Sequence, residues 1–176
     1  MADANRNTQR ECIVGLMRGD DMLYPAQLYR EELKQKLISC WYKPEYDYFF
    51  LGEYQEFTVP DNAYWRKDFV HLNANGEVDG YFAYSNNDTA KSLSQFGIIS
   101  FTGNGGALVR DCIRHIDKLV AEGLHRMEWW AVVDNPATKI YEKLIERYCG
   151  NVVGYMHDCY YFGGRYHDSV MYEILF

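Results

Sequence analysis

Residues 93–107 read LSQFGIISFTGNGGA. The first ten are rich in β-forming side chains, as a strand requires. Gly103-Asn104-Gly105-Gly106 then breaks the run. The residues beyond the break have a helical period. Leu108, Cys112, Ile116 and Leu119 recur at helical steps, joined by Val109, Ile113 and Val120, and Gly123 closes a helix expected over 107–122. A strand that passes through a glycine turn into a helix belongs to a mixed α/β protein. The turn also has chemical meaning. Glycines let a ligand approach the backbone, and the free N–H groups and positive dipole of a helix start favour an anion. A diphosphate-bearing ligand fits this turn. So does a turn that needs glycine only for its geometry, and the motif alone does not separate the two. Neither Gly-Lys-Ser/Thr nor Gly-x-Gly-x-x-Gly is present here.

Toward the C-terminus, residues 126–133 (RMEWWAVV) predict a further strand. Asn135 can cap the next helix with Pro136 in its first turn, and Ala137, Ile140, Tyr141, Leu144, Ile145 and Tyr148 give it a buried face that Gly150 ends. Residues 152–162 and 165–176 form a hairpin around Gly163-Gly164. Toward the N-terminus, 69–73 and 78–85 flank Asn75-Gly76, a hairpin signal, and 85–92 is a polar loop. Residues 40–57 (CWYKPEYDYFFLGEYQEF) are aromatic and acidic with no clean period, and predict a short helix or an irregular segment lying over the domain. Met22, Ala26, Tyr29, Leu33 and Leu37 make a helical stripe after the capping residues Asp20 and Asp21, with Pro25 in the first turn. Residues 11–17 (ECIVGLM) predict a first strand. The sum is a mixed sheet with a β-α-β-α centre.

The chain has 176 residues, which suits one domain over 1–176, with 1–10 expected to be flexible. Eighteen Lys and Arg stand against 25 Asp and Glu, a net charge of −7 with no basic cluster. Nucleic acid is therefore not expected as a partner, and a cationic ligand is favoured. No run approaches the ~18 apolar residues of a membrane helix. Residues 1–10 lack the apolar core of a secretory signal, so no membrane partner and a cytoplasmic location are expected. The five cysteines form no Cys-x-x-Cys and the five histidines no His-x-x-x-His, so no metal is expected and the thiols should be reduced and mostly buried. Sixteen Tyr, nine Phe and four Trp can wall a substrate channel or fill a core.

With these motifs placed, the chain resembles the GCN5-related N-acetyltransferase (GNAT) family, mainly over 69–176. Thr102-Gly103-Asn104-Gly105-Gly106-Ala107 is similar to the family's acetyl-CoA loop, with Thr where Gln or Arg is usual. Asn135-Pro136-Ala137-Thr138-Lys139-Ile140-Tyr141-Glu142-Lys143-Leu144 resembles its Asn-x-x-Ala…Tyr-Glu-Lys-Leu segment, one residue shorter between Asn and Tyr than the commonest form. Gly163-Gly164-Arg165-Tyr166-His167-Asp168 resembles its Gly-Lys-x-x-Asp turn. The resemblance implies an acyl-CoA N-acyltransferase-like fold: a central, mostly antiparallel sheet with helices on both faces.

It also implies roles. Acetyl-CoA would be cosubstrate, with the pyrophosphate on the amides of Gly103, Asn104, Gly105, Gly106 and Ala107. Phe101 and Thr102, at the end of the strand, would lie beside the pantetheine arm, and Asn135 would bond that arm or the acetyl end. Tyr141 would be the general acid toward the leaving thiolate, although its spacing equally suits a core aromatic. A carboxylate that many members carry on the fourth strand is missing from 93–102. Glu128 on the next strand is the first substitute for a base, and His71 the second; a water relay or an already neutral amine would need neither. The expected reaction is acetyl transfer to a primary amine of a cationic acceptor, in a site that Tyr42, Tyr46, Tyr48, Trp65, Tyr81 and Tyr84 could wall. The alternatives are a non-catalytic CoA-binding or protein-interaction module of the same fold and, less well matched, a nucleotide-binding α/β domain. A homodimer is a reasonable default.

Overall fold

The computed structural model describes residues 23–61 and 64–176. The strand expected at 11–17, the caps Asp20 and Asp21, and Met22 lie outside the described residues.

Seven strands build one sheet in the order β1-β2-β3-β4-β5-β7-β6. They are β1 (Leu23–Pro25), β2 (Arg66–Leu72), β3 (Val78–Asn87), β4 (Ser92–Ser100), β5 (Arg126–Val132), β6 (Asn151–Phe162) and β7 (Arg165–Leu175). Every neighbouring pair is antiparallel except β4 and β5. The helices are α1 (Arg30–Ser39), α2 (Asp47–Phe50), α3 (Gly106–Ala121) and α4 (Thr138–Arg147). Three-residue and four-residue 3₁₀ turns, Pro44–Tyr46 and Ala26–Tyr29, precede α2 and α1.

Side chains alternate across each strand, so the sheet feeds two cores. On one face Phe82, Leu93, Phe96, Met127, Trp129, Tyr172 and Ile174 pack with Leu108, Cys112 and Ile116 of α3 and Tyr141 and Leu144 of α4. On the other, Val70, Tyr81, Ala83 and Ile99 pack with Leu33 and Leu37 of α1, with Phe49, Phe50 and Phe57 beside them. Helices therefore cover both faces, as expected. Gly80 lets α3 sit close, since a Cβ there would lie 2.7 Å from a Leu108 methyl.

Two expectations about local structure change. The stripe beginning near Met22 is not one helix: Leu23–Pro25 pair with His71, Val70 and Phe69, and the α-helix starts only at Arg30. Proline suits the end of an edge strand because it has no N–H to donate. The fourth helix starts at Thr138 rather than beside Asn135, because Asn135 Oδ1 accepts the Ala137 N–H (2.8 Å) in a turn that precedes it. The other expected elements from residue 66 onward lie within a few residues of their predicted limits. Of the four described cysteines, all free, Cys40 and Cys112 are buried, Cys159 is half-buried and Cys149 is exposed.

Candidate active site

β4 and β5 pair only at their starts, where Ser92 faces Arg126 and Leu93 faces Met127. Beyond Leu93 the two strands part. The register of β4 against β3 shifts between Ala83 and Ser85, and Gln95 sits at φ 51. This is a bulge, which bends its strand and strengthens its twist. The gap it opens is a cavity of about 470 Å³. Phe96, Gly97, Ile98, Ile99 and Ser100 form one wall, and Trp130, Ala131 and Val132 the other. The β4 backbone groups that would bond β5 in an unbroken ladder face this gap without that partner, so an extended ligand can lie there as an added strand.

At the far end of β4 the chain turns into α3. Gly103 (φ 68) and Gly105 both line the cavity, and Gly105 precedes α3 with no side chain capping the helix. The first turn of α3 carries no acidic residue. The uncapped amides and the positive end of a sixteen-residue helix thus lie beside the cavity, a setting for an anion. Ser100 Oγ receives the Thr102 N–H at 3.4 Å. Thr102, Asn104 and Gly106 are exposed, and Phe101 and Ala107 half-buried; these five stand beside the lining rather than in it.

The opposite rim comes from the turn before α4. Asp134 (φ 70) reverses the chain, and Asn135, Pro136, Ala137, Ile140 and Tyr141 line the cavity. Tyr141 is buried, with its ring against Phe96, Trp129 and Tyr172 at centroid distances of 6.2, 5.7 and 5.8 Å. Burial, with Tyr172 adding to it, pushes the Tyr141 phenol well above its ordinary value, so it stays protonated. Tyr141 is thus at once a core aromatic and a cavity residue.

The two candidate bases lie elsewhere. Glu128 forms an ion pair with Arg126, which also reaches Glu173 at 2.9 Å, and Glu128 is not in the lining. His71 is buried between Asp79 and Asp111, 3.3 Å from the latter, and does not reach the cavity. Of the six aromatics expected to wall an acceptor site, Tyr46 and Tyr48 line this cavity. Tyr81 and Tyr84 are core residues, and Tyr42 and Trp65 are exposed outside the cavity.

The aperiodic segment 40–57 supplies the roof. The Tyr46 hydroxyl donates to the Ser100 carbonyl (3.3 Å), and Tyr48 packs edge-on against Phe162 (5.3 Å) and His167 (5.8 Å). The segment thereby spans from the end of β4 to the β6–β7 hairpin. It brings Glu45, the one carboxylate in the lining among the described residues, to the rim, with Tyr160 of β6 contributing as well. Sequence reasoning missed Glu45 as an individual residue; its only signal was the acidic, aromatic character of the segment. Among the described residues no group of three His, Cys, Asp or Glu gathers as a metal site, and no helix is long and apolar enough to cross a membrane.

A mostly antiparallel seven-stranded sheet, helices on both faces and a central parallel pair that parts into a cavity define the acyl-CoA N-acyltransferase-like fold. The solved structures similar to it include a spermidine N-acetyltransferase from Vibrio cholerae in complex with CoA and spermine. That match has a TM-score of 0.62 at 20% identity, over 87% of this chain and 94% of the other. A dodecameric structure of spermidine N-acetyltransferase from the same organism matches with a TM-score of 0.53 at 24% identity, over 64% of this chain and 66% of the other. At the level of fold, the neighbours are GNAT-type acetyltransferases. No protein-family model matches the sequence, and no curated protein sequence matches it.

Proposed function

We propose that this chain transfers an acetyl group from acetyl-CoA to a primary amine of a small cationic acceptor of the polyamine class. The observation that carries the reading is the convergence on one cavity of three features: the parted β4–β5 pair, the acid-free start of α3, and the Asn135–Tyr141 rim. The pyrophosphate would rest on amides near Gly103 and Gly105. The pantetheine arm would pair along β4 toward the parting, with Asn135 beside it. The neutral amine attacks the thioester carbonyl, the carbon–sulfur bond breaks, Tyr141 gives its proton to the departing thiolate, and the proton that the acylated nitrogen sheds restores the phenol, directly or through a water. A phenol with a raised pKa remains a competent donor here. The same dry surroundings that disfavour phenolate also disfavour thiolate and raise its basicity.

Glu45 would attract and hold the charged part of the acceptor, with the rings of Tyr46, Tyr48 and Tyr160 available for cation–π contact. The structural neighbours support the acceptor class, because one of them was crystallised with CoA and spermine. With Glu128 and His71 away from the cavity, capture of an already neutral amine or a water relay best fits the proton balance. The distance of both expected bases from the cavity favours a second reading, a protein that binds CoA without turnover.

Calorimetric titration with acetyl-CoA, CoA and ADP tests the first part. Saturable binding is expected. It should weaken at least about tenfold in Gly105→Val, whose branched side chain would occupy the cavity lining at the turn where the pyrophosphate would rest. No binding at millimolar ligand overturns the CoA assignment. Binding without acetyl transfer to any of a panel of di- and polyamines would select the second reading.

A further inference from the structure

Two tryptophans follow each other on β5 and meet opposite fates. Trp129, with Ala131 beyond it, points into the core beneath α3 and α4 and is 1% exposed. Alternation along the strand turns Trp130 to the other face, the one that carries α1 and the 40–57 roof. β5 lies inside the sheet, between β4 and β7, yet Trp130 is 43% exposed. Its ring does not stand clear of the sheet. Trp130 faces Met171 in β7, and Met171 faces Gly154 in β6. Gly154 is thus two strands away, or about 10 Å. The far corner of the indole, Cη2, nevertheless comes within 3.9 Å of where a Gly154 Cβ would stand. The indole therefore lies down across β7, with one side against the sheet and the other open.

The open side belongs to the cavity. Trp130 of β5 and Tyr160 of β6 both line it, with Tyr48 and Glu45 from the roof. Tyr160 pairs with His167 of β7, and the Tyr48 ring packs against His167. On this face the cavity thus has an arm that runs from the parting of β4 and β5 across β7 to β6. Trp130 is its floor and Tyr160 its far end. On the opposite face of the sheet the lining comes from Val109 of α3 and from Ile140 and Tyr141 of α4. The two sides differ in chemistry. The helix side offers the start of α3 to an anion. The arm offers aromatic faces and Glu45, and among the described residues no other charged side chain lines the cavity.

We infer that Trp130 determines which amines are accepted: its open face holds a second, charged nitrogen that a short apolar chain separates from the nitrogen that reacts. The inference rests on the acetyl-transfer reading above. The reacting nitrogen at the parting must be neutral, so in a diamine the charge resides on the other nitrogen. That ammonium needs compensation once it leaves water. Glu45 supplies one full charge, and the negative face of an indole, the best of the aromatic rings for this purpose, supplies the rest. The ring also covers the methylenes between the two nitrogens. An anionic ligand would meet both Glu45 and the negative ring face here, so the arm does not suit the diphosphate end of CoA. The site is thereby built for a diamine more than for a monoamine of the same length.

Two acceptors of equal length test this: 1,4-diaminobutane, and 4-aminobutan-1-ol, in which an uncharged hydroxyl replaces the second ammonium. At saturating acetyl-CoA, Trp130→Leu should raise KM about tenfold for the diamine and less than about threefold for the amino alcohol, the difference being the lost attraction between cation and ring. The turnover number with either acceptor, and acetyl-CoA affinity by calorimetry, should stay within about twofold of wild type, since Trp130 touches neither the leaving thiolate nor the turn before α3. Trp130→Phe keeps an aromatic face and should fall between wild type and Trp130→Leu with the diamine. A merely structural tryptophan would weaken both acceptors alike. A second readout needs no turnover and no destabilised variant. Adding 1,4-diaminobutane to the wild-type chain with CoA should change its tryptophan emission, and Trp130→Phe should abolish the change. Equal KM changes for the two acceptors, no emission change in wild type, or a change that survives Trp130→Phe would overturn the inference. A wild-type chain that binds no acetyl-CoA is a different failure, and it overturns the acetyl-transfer reading itself.

Discussion

The parallel pair β4 and β5 begins as ordinary sheet and ends as a cavity. At the closed end Leu93 and Met127 face each other fully buried, and the ladder satisfies the backbone as in any core. At the open end, past the bulge at Gln95, the same two strands share no pairing, and their side chains and backbone line about 470 Å³ of space. The difference teaches where stability and chemistry are separated in this molecule. Burial at the closed end holds the strands at a fixed divergence, and the divergence exposes backbone groups that a ligand can pair with in place of water. Breaking the closed end should therefore cost stability with little effect on the site's intrinsic affinity. Altering the open end should do the reverse.

The largest expected effect is at the open end. Tyr141→Phe removes the proposed proton donor but keeps the ring against Phe96, Trp129 and Tyr172. The turnover number should fall by about 10²–10³-fold, within the range for loss of a general acid, while acetyl-CoA affinity by calorimetry changes less than about twofold. An unchanged rate would return Tyr141 to a purely structural role. Its pH behaviour sharpens the point. Burial raises the phenol, so the wild-type rate should show no falling limb from Tyr141 at least to the ordinary tyrosine value of about 10. The linkage has a definite sign. The folded value lies above the unfolded one, so the stabilisation is complete below pH ~10 and is lost as pH rises above it. Buried Tyr81 and Tyr84, both pushed upward chiefly by burial, act in the same direction. Denaturant unfolding should show stability declining beyond about pH 10.

Next comes the closed end. Leu93→Ala removes a side chain that is 1% exposed and should cost about 3 kcal/mol, read as a lower denaturation midpoint. Under conditions where the variant is folded, its acetyl-CoA affinity should remain within about threefold of wild type. A large loss of affinity at full folding would show that the two ends are not separable.

The smallest effect belongs to the rim. Glu45→Gln should raise KM for a dicationic acceptor by about three- to tenfold, and the rise should shrink with salt because the carboxylate is exposed and screened. The turnover number should hold. A KM that is indifferent to both substitution and salt would remove Glu45 from acceptor recognition.

Much of this was legible in the chain. Periodicity placed α3, β5 and the β6–β7 hairpin, and the family resemblance tied Gly103, Gly105, Asn135 and Tyr141 to one cofactor, four residues that the fold does bring to one cavity. Those readings work because alternation, helical stripes and glycine turns are local consequences of backbone geometry. Other features had no local signal. Pro25 and its neighbours read as a helix but pair with β2, because a partner strand more than forty residues away supplies the hydrogen bonds. His71 and Glu128 have the right chemistry for a base, yet the fold spends one on Asp79 and Asp111 and the other on Arg126. Glu45 gained its position only because a segment with no period is tied to Ser100 by Tyr46 and to Phe162 by Tyr48. The sequence by itself determined the strands and helices from residue 66 onward to within a few residues, and the glycine turn that starts α3. Only the tertiary structure decided where β4 and β5 part and which side chains close the gap, since a cavity is made of distances between segments remote in the chain, and no local pattern encodes those.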